Sequence, residues 1–127
     1  MEGSIMIVED NIILSDMYRY KLEKEQFHVI VKNNGLDAIA KLADTDPDPQ
    51  PDLILLDLMM PGMNGFEVLE TLKTSDKLKH SKIIVFSNLN EPKDRQRCLD
   101  LGADDFILKS SITPKELVEK IRNVLAK

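Results

Sequence analysis

A chain of 127 residues fits one domain and can bury about two-thirds of the surface that its unfolded form exposes. Hydrophobic residues at 43% and charged residues at 31% are ordinary for a globular protein, and a net charge of −5 without any Lys/Arg-rich run argues against a nucleic-acid surface. The lone Cys98 excludes an internal disulfide, no apolar run approaches the ~18 residues of a membrane span, and Met1-Glu2-Gly3-Ser4 lacks the basic start and apolar core of a signal peptide, so a cytoplasmic protein is expected.

Ser4-Ile5-Met6-Ile7-Val8 reads as a first strand that stops at Glu9-Asp10-Asn11, two acids and a helix N-cap. Leu14, Met17, Tyr18 and Leu22 recur at helical spacing and predict a helix of about 14 residues with that stripe inward. Phe27–Val31 is the second strand, with His28 packed or at an edge rather than catalytic. Asn33-Asn34-Gly35 turns into a second helix striped by Ala38, Ile39 and Leu42. Residues 44–51, with prolines at alternate positions, are expected to form a surface loop, since such a run cannot be helical.

The unbroken apolar run Leu53-Ile54-Leu55-Leu56 is too short for a helix and reads as a strand buried on both faces of a parallel sheet. It ends in Asp57, an acid whose desolvation costs free energy and therefore asks for a purpose. Pro61-Gly62 and Asn64-Gly65 are turn signals, and Asn64 with Glu67 forms a capping box ahead of a third helix whose Phe66, Leu69 and Leu72 face inward. Lys82–Phe86 is the fourth strand and ends in Ser87-Asn88. Glu91-Pro92 opens a fourth helix, which packs Cys98 and stops at Gly102. Asp105–Leu108, ending in Lys109, is the fifth strand. Thr113, Pro114 and Glu116 start a last helix with the chain's cleanest apolar stripe: Leu117, Val118, Ile121, Val124 and Leu125.

Five β-α units in strict alternation imply an α/β fold, a parallel sheet with helices on both faces and ligands at the carboxyl ends of the strands. Those ends carry Glu9-Asp10, Lys32-Asn33, Asp57, Ser87-Asn88 and Lys109. Carboxylates drawn together repel unless a cation joins them, and hard oxygen ligands suit Mg2+. A metal, a free carboxylate, a hydroxyl and a lysine are the groups phosphoryl chemistry needs, with the carboxylate able to become an aspartyl phosphate.

The motifs Ile7-Val8-Glu9-Asp10-Asn11, Asp52 through Gly65, Val85-Phe86-Ser87 and Gly102 through Lys109 resemble those of receiver domains of two-component response regulators, over about residues 4–126. The resemblance implies a flavodoxin-like, doubly wound, five-stranded parallel sheet in order 2-1-3-4-5 with five helices. It implies phosphoryl transfer to Asp57 from a sensor histidine kinase or phosphotransfer protein. Mg2+ would be held by Asp10, Asp57 and the Met59 carbonyl, with Glu9 acting through a water. Ser87 would swing toward the phosphoryl group, Lys109 would pair with its oxygens, and Phe106 would rotate inward as Ser87 moves. The face of the fourth helix, fifth strand and fifth helix would then signal to an output protein or domain, with phosphorylation-dependent dimerisation a further implication. Such a domain is not an enzyme in its own right, catalysing at most its own phosphotransfer and autodephosphorylation. Apolar Met59 and Leu89, two residues after Asp57 and Ser87, imply slow hydrolysis of the acyl phosphate.

Ser110 stands where the family usually has proline, often after a cis bond. A cis bond before serine costs about 2.5–4 kcal/mol, so Lys109–Ser110 is expected to be trans. Ser87 replaces the commoner threonine and keeps the hydroxyl. Three other readings weaken on particular residues. A degenerate receiver serving only as an interaction module would not keep the whole phosphorylation constellation. A phosphatase using a strand-ending aspartate would want an acid where Met59 stands, and a flavin-binding domain would not place Glu9-Asp10 where a phosphate must sit. The expectation is one receiver domain over residues 1–127, with no direct contact to nucleic acid and no membrane insertion.

Overall fold

The structure, a computed structural model, describes residues 3–42, 50–74, 80–89 and 91–127. Strands β1 (Gly3–Val8), β2 (Phe27–Lys32), β3 (Leu53–Leu56), β4 (Lys82–Ser87) and β5 (Asp105–Leu108) alternate with helices α1 (Ile12–Lys24), α2 (Gly35–Lys41), α3 (Gly65–Lys73), α4 (Pro92–Asp100) and α5 (Pro114–Leu125). All neighbouring strands are parallel, in the order β2-β1-β3-β4-β5. This is the flavodoxin-like arrangement expected from the alternation, and β3 lies at its centre.

Side chains of a strand point alternately to opposite faces, so β3 serves two cores at once. Ile54 and Leu56 join Met6, Val8, Ile83 and Val85 beneath residues of α2, α3 and α4. Leu53 and Leu55 join Ile5, Ile7, Ile84 and Phe86 beneath α1 and α5. That double coverage is why Leu53–Leu56 is uninterrupted by a polar residue. Cys98 is fully buried in the first core, as expected for a packing residue.

The helix ends follow the local chemistry. Asn11, Asn34, Asn64 and Thr113 each cap a helix with a side-chain oxygen, and both Asn64–Glu67 and Thr113–Glu116 are full capping boxes. Gly102, at φ +103°, closes α4: its N–H donates to Leu99 O and that of Ala103 to Cys98 O, a Schellman pattern that needs the left-handed conformation.

One stripe differs from expectation. Met17 is 44% exposed, whereas α1 meets the second core through Ser15, Tyr18 and Leu22. Those positions are three and four residues apart, and Met17 lies about a quarter-turn from Tyr18, outside the contact line. His28 is exposed on the edge strand β2. Of the expected surface loop 44–51, only Gln50 and Pro51 belong to the described residues. Pro51 is buried, its carbonyl accepting from Ser81 Oγ at 2.7 Å.

Candidate functional site: an acidic rim at the strand ends

Every expected rim residue belongs to a strand or directly follows one, except Asp10, which stands two residues past the end of β1. Glu9 follows β1, its N–H donating to Lys32 O at 3.0 Å, so the β1–β2 ladder carries it one residue past the strand. Asp57 follows β3 and is pinned to β1 by its N–H on Val8 O at 3.0 Å. The two acids are therefore set side by side by adjacent strands. Glu9, Asp10 and Asp57 each present a carboxylate oxygen, and these atoms lie within 4.8 Å of one another. Glu9 and Asp57 are only 4% and 5% exposed.

Lys109 bridges the cluster. Its ammonium bonds Glu9 Oε1 directly and stands 3.4 Å from Asp57 Oδ2, with the side chain 10% exposed. The chain brings it there by leaving β5 in a 3-10 turn, Lys109–Ser111, stitched by Ser111 Oγ donating to Leu108 O. No described peptide bond is cis, so Lys109–Ser110 is trans, as the energetic cost predicted. Lys109 also sits 5.8 Å over the Phe86 ring, which Tyr18 meets edge-on at 5.1 Å. Burial alone would lower the Lys109 pKa. The hydrogen bond to Glu9 and the charges of Asp57 and Glu9 outweigh it and raise the value above the ordinary 10.5. Asp10 is raised above 3.8, by its burial first and then by its hydrogen bond to Glu9 and that carboxylate's charge.

The remaining donors are main-chain groups. Asp57 Oδ1 accepts the Met59 N–H at 3.2 Å, and Glu9 Oε2 accepts that of Asn11 at 3.1 Å. Gly65 lets the following loop fold back onto this point: a Cβ there would lie 2.5 Å from the Asp57 carbonyl oxygen, so no larger residue fits without displacing the acid. Ser87 is fully buried and its Oγ accepts the Leu89 N–H at 3.2 Å. Phe106 is 7% exposed and packs in the first core, while lining one wall of a groove of about 620 Å³ between α4 and α5. The Met59 side chain is 56% exposed and Leu89 is partly buried.

Three features escaped the sequence reading. Glu9 as the direct partner of Lys109 was hidden because the two are 100 positions apart. Gly65 was legible as a turn signal, though its close approach to Asp57 was not. Asn33 was read as a strand-ending and turn residue, yet its side chain donates to the Glu9 carbonyl at 2.8 Å.

A family model described as response regulator receiver domain matches residues 5–122. The chain belongs to that family. It is 34% identical over 125 residues to the phosphate regulon transcriptional regulatory protein PhoB of Escherichia coli, covering 98% of this chain and 52% of that one. It is 33% identical to the polar-differentiation response regulator DivK of Brucella anthropi, covering 98% of each. The chain thus spans about half the length of its PhoB relatives and nearly all of DivK. Among solved structures, the BeF3-activated N-terminal receiver domain of Klebsiella pneumoniae RstA superimposes with a TM-score of 0.84 at 28% identity, over 98% of this chain and 99% of that one. Among the described residues no helix is long and apolar enough to cross a membrane.

Proposed function

We propose that this domain is a phosphoacceptor of a two-component phosphorelay, with Asp57 the residue that takes the phosphoryl group. The observation that carries the reading is the Glu9–Asp10–Asp57 cluster bridged by Lys109 at the carboxyl ends of parallel strands. An Asp57 carboxylate oxygen attacks the phosphorus of a phosphohistidine on a kinase or phosphotransfer protein. The new O–P bond forms as the N–P bond breaks, and the imidazole keeps the electron pair. Lys109 is placed to turn from its carboxylates to the incoming phosphoryl oxygens, neutralising charge without leaving the site.

The donor set fits Mg2+, since three hard carboxylates converge and the low-dielectric rim leaves them only one cation among them. Asp10 and Asp57 would hold it with the Met59 carbonyl, Glu9 acting through a water. Bound there, it supplies charge neutralisation and orientation of the transferring group. Ser87 is the hydroxyl nearest in kind to the task of following the phosphoryl oxygens, and its buried position next to β5 supports coupling to Phe106. Phe106 packs in the first core and lines the groove, and the output signal would be a change in that packing. The α4–β5–α5 face would meet a downstream partner or a second receiver. The PhoB relatives are named as transcriptional regulators, so a DNA-binding output beyond this domain is one form that partner takes. The domain acts in the cytoplasm as a signalling component rather than as an enzyme with a turnover substrate of its own.

Incubation with acetyl phosphate and Mg2+, followed by intact and peptide mass spectrometry, tests the reading. One phosphoryl group on Asp57, absent in Asp57→Asn, is expected. A protein that stays unlabelled would instead be an interaction module.

A further inference from the structure

We propose that Asn33 is a positioning residue for the cation-binding acids, fixing the peptide plane that joins Glu9 to Asp10. The inference rests on the phosphoacceptor reading above and adds a residue that neither the rim chemistry nor the ion pairs require. Asn33 Nδ2 donates to the Glu9 carbonyl at 2.8 Å and approaches Ser15 Oγ at 3.4 Å. Ser15 is fully buried, and its hydroxyl donates to Ile12 O at 3.1 Å. One neutral amide therefore ties the end of β2 to the acid-bearing turn and to the first turn of α1.

The bonded oxygen is the telling detail. The Glu9 carbonyl belongs to the planar peptide unit between Glu9 and Asp10, so its direction sets both the departing vector of Glu9 and the arriving vector of Asp10. Without that tether, the three carboxylates gain by turning away from one another, and rotation of this peptide unit is one way to do so. An amide NH2 opposes this without adding a charge that would compete with a cation. A lysine or arginine at the same place would hold the carbonyl and also repel the metal. Partners that orient metal ligands typically change affinity by about 10-fold or more, and an exposed donor whose place water can take should fall at or below that figure.

Calorimetric titration of the metal-free protein with MgCl2, using the parent, Asn33→Ala and Asn33→Asp, decides the matter. Both variants are expected to bind Mg2+ about 3- to 10-fold more weakly. Acetyl-phosphate labelling of Asp57 should return to within about twofold of the parent rate at saturating Mg2+. The aspartate is the sharper case, because an added carboxylate near the rim strengthens cation binding if charge alone matters. It weakens binding if the lost donor matters. Unchanged affinity in Asn33→Ala, or tighter binding in Asn33→Asp, overturns the proposal, even if melting in EDTA falls. A parent that itself binds no Mg2+ and takes no phosphoryl group would sink the phosphoacceptor reading instead.

Discussion

Helix α5 buries Leu117, Val118, Ile121 and Val124 against the sheet, while the carboxyl ends of the strands bury Glu9 and Asp57. The two regions are comparably hidden from water and oppositely motivated. Apolar burial on α5 lowers the free energy at every pH and in every buffer, about 25 cal/mol for each Å² removed from water. The rim gathers three acids around one ammonium, so like charges are drawn together there with a single described opposite charge between them. One region holds the fold together and the other holds it ready. The difference is measurable, because only the second should respond to metal.

The largest effects test that division directly. Ile121→Ala, at a position with no exposure, should cost about 4 kcal/mol by transfer and cavity terms together. Lys109→Met should cost about 3 kcal/mol in EDTA, since it leaves buried carboxylates without their cation. Chemical denaturation with and without Mg2+ separates them: the Lys109 loss should shrink when Mg2+ replaces the missing charge, and the Ile121 loss should not. Equal metal responses would erase the distinction between the two regions. The Lys109 contribution also carries a pH signature. Its pKa is raised in the fold, so its stabilisation is fully present below 10.5 and fades as pH rises through the higher folded value. Lys109→Met should lack that alkaline loss.

Metal itself comes next. A hundredfold excess of Mg2+ over its dissociation constant should stabilise the parent by about 2.7 kcal/mol, seen as a higher melting midpoint than in EDTA. Coincident midpoints would show that the acids do not act as one site.

Much of this was legible beforehand, and the reasons are physical. The five-fold β-α alternation determines a parallel sheet, and Leu53–Leu56 identifies its centre because only a doubly covered strand tolerates four aliphatics in a row. Strand ends are local events, so Glu9, Asp10, Asp57, Ser87 and Lys109 could be placed on one rim without coordinates. What stayed hidden depended on distances between elements. The preference of Lys109 for Glu9 over Asp57 is a matter of side-chain reach across three strands. The Asn33 bond depends on the β1–β2 register, Val8 opposite Lys32, which no local pattern encodes. Met17 was misplaced because helical periodicity gives a stripe but not its width, and α1 meets the sheet along a narrow one.

A smaller effect sharpens the comparison within the rim. Asp57→Asn removes one of three acids but leaves Lys109 bonded to Glu9, so no buried charge is stranded. Metal-free stability should rise by about 1 kcal/mol, the Coulomb energy of two like unit charges about 4 Å apart in water. Denaturant midpoints in EDTA would show it. A decrease would mean that the 3.4 Å contact between Lys109 and Asp57 outweighs the repulsion among the acids.

The smallest effect lies at the start of α5, where one acid behaves in the opposite way to Asp10 of the rim. Glu116 bonds the Thr113 N–H at 2.9 Å while Thr113 Oγ1 accepts the Glu116 N–H at 3.1 Å. The Thr113 N–H on its carboxylate, with a smaller contribution from the Thr113 side chain, favours the ionised form, and the Glu116 pKa falls below 4.5, whereas that of Asp10 is raised. The signs follow. Glu116 contributes stability above 4.5 that is lost as pH falls through its lower folded value. Asp10 penalises the metal-free fold above its raised value and relents as pH falls. Thr113→Ala should cost about 1 kcal/mol, the usual worth of an N-cap. On α4, by contrast, the Glu91 side chain makes no cap bond, so Glu91→Ala should change stability by less than about 0.5 kcal/mol. Urea midpoints of the two variants at pH 7 provide the check. Similar losses would mean that the two helices flanking the groove are held equally firmly at their starts. The expected inequality would make α4 the less firmly anchored of the two at its start.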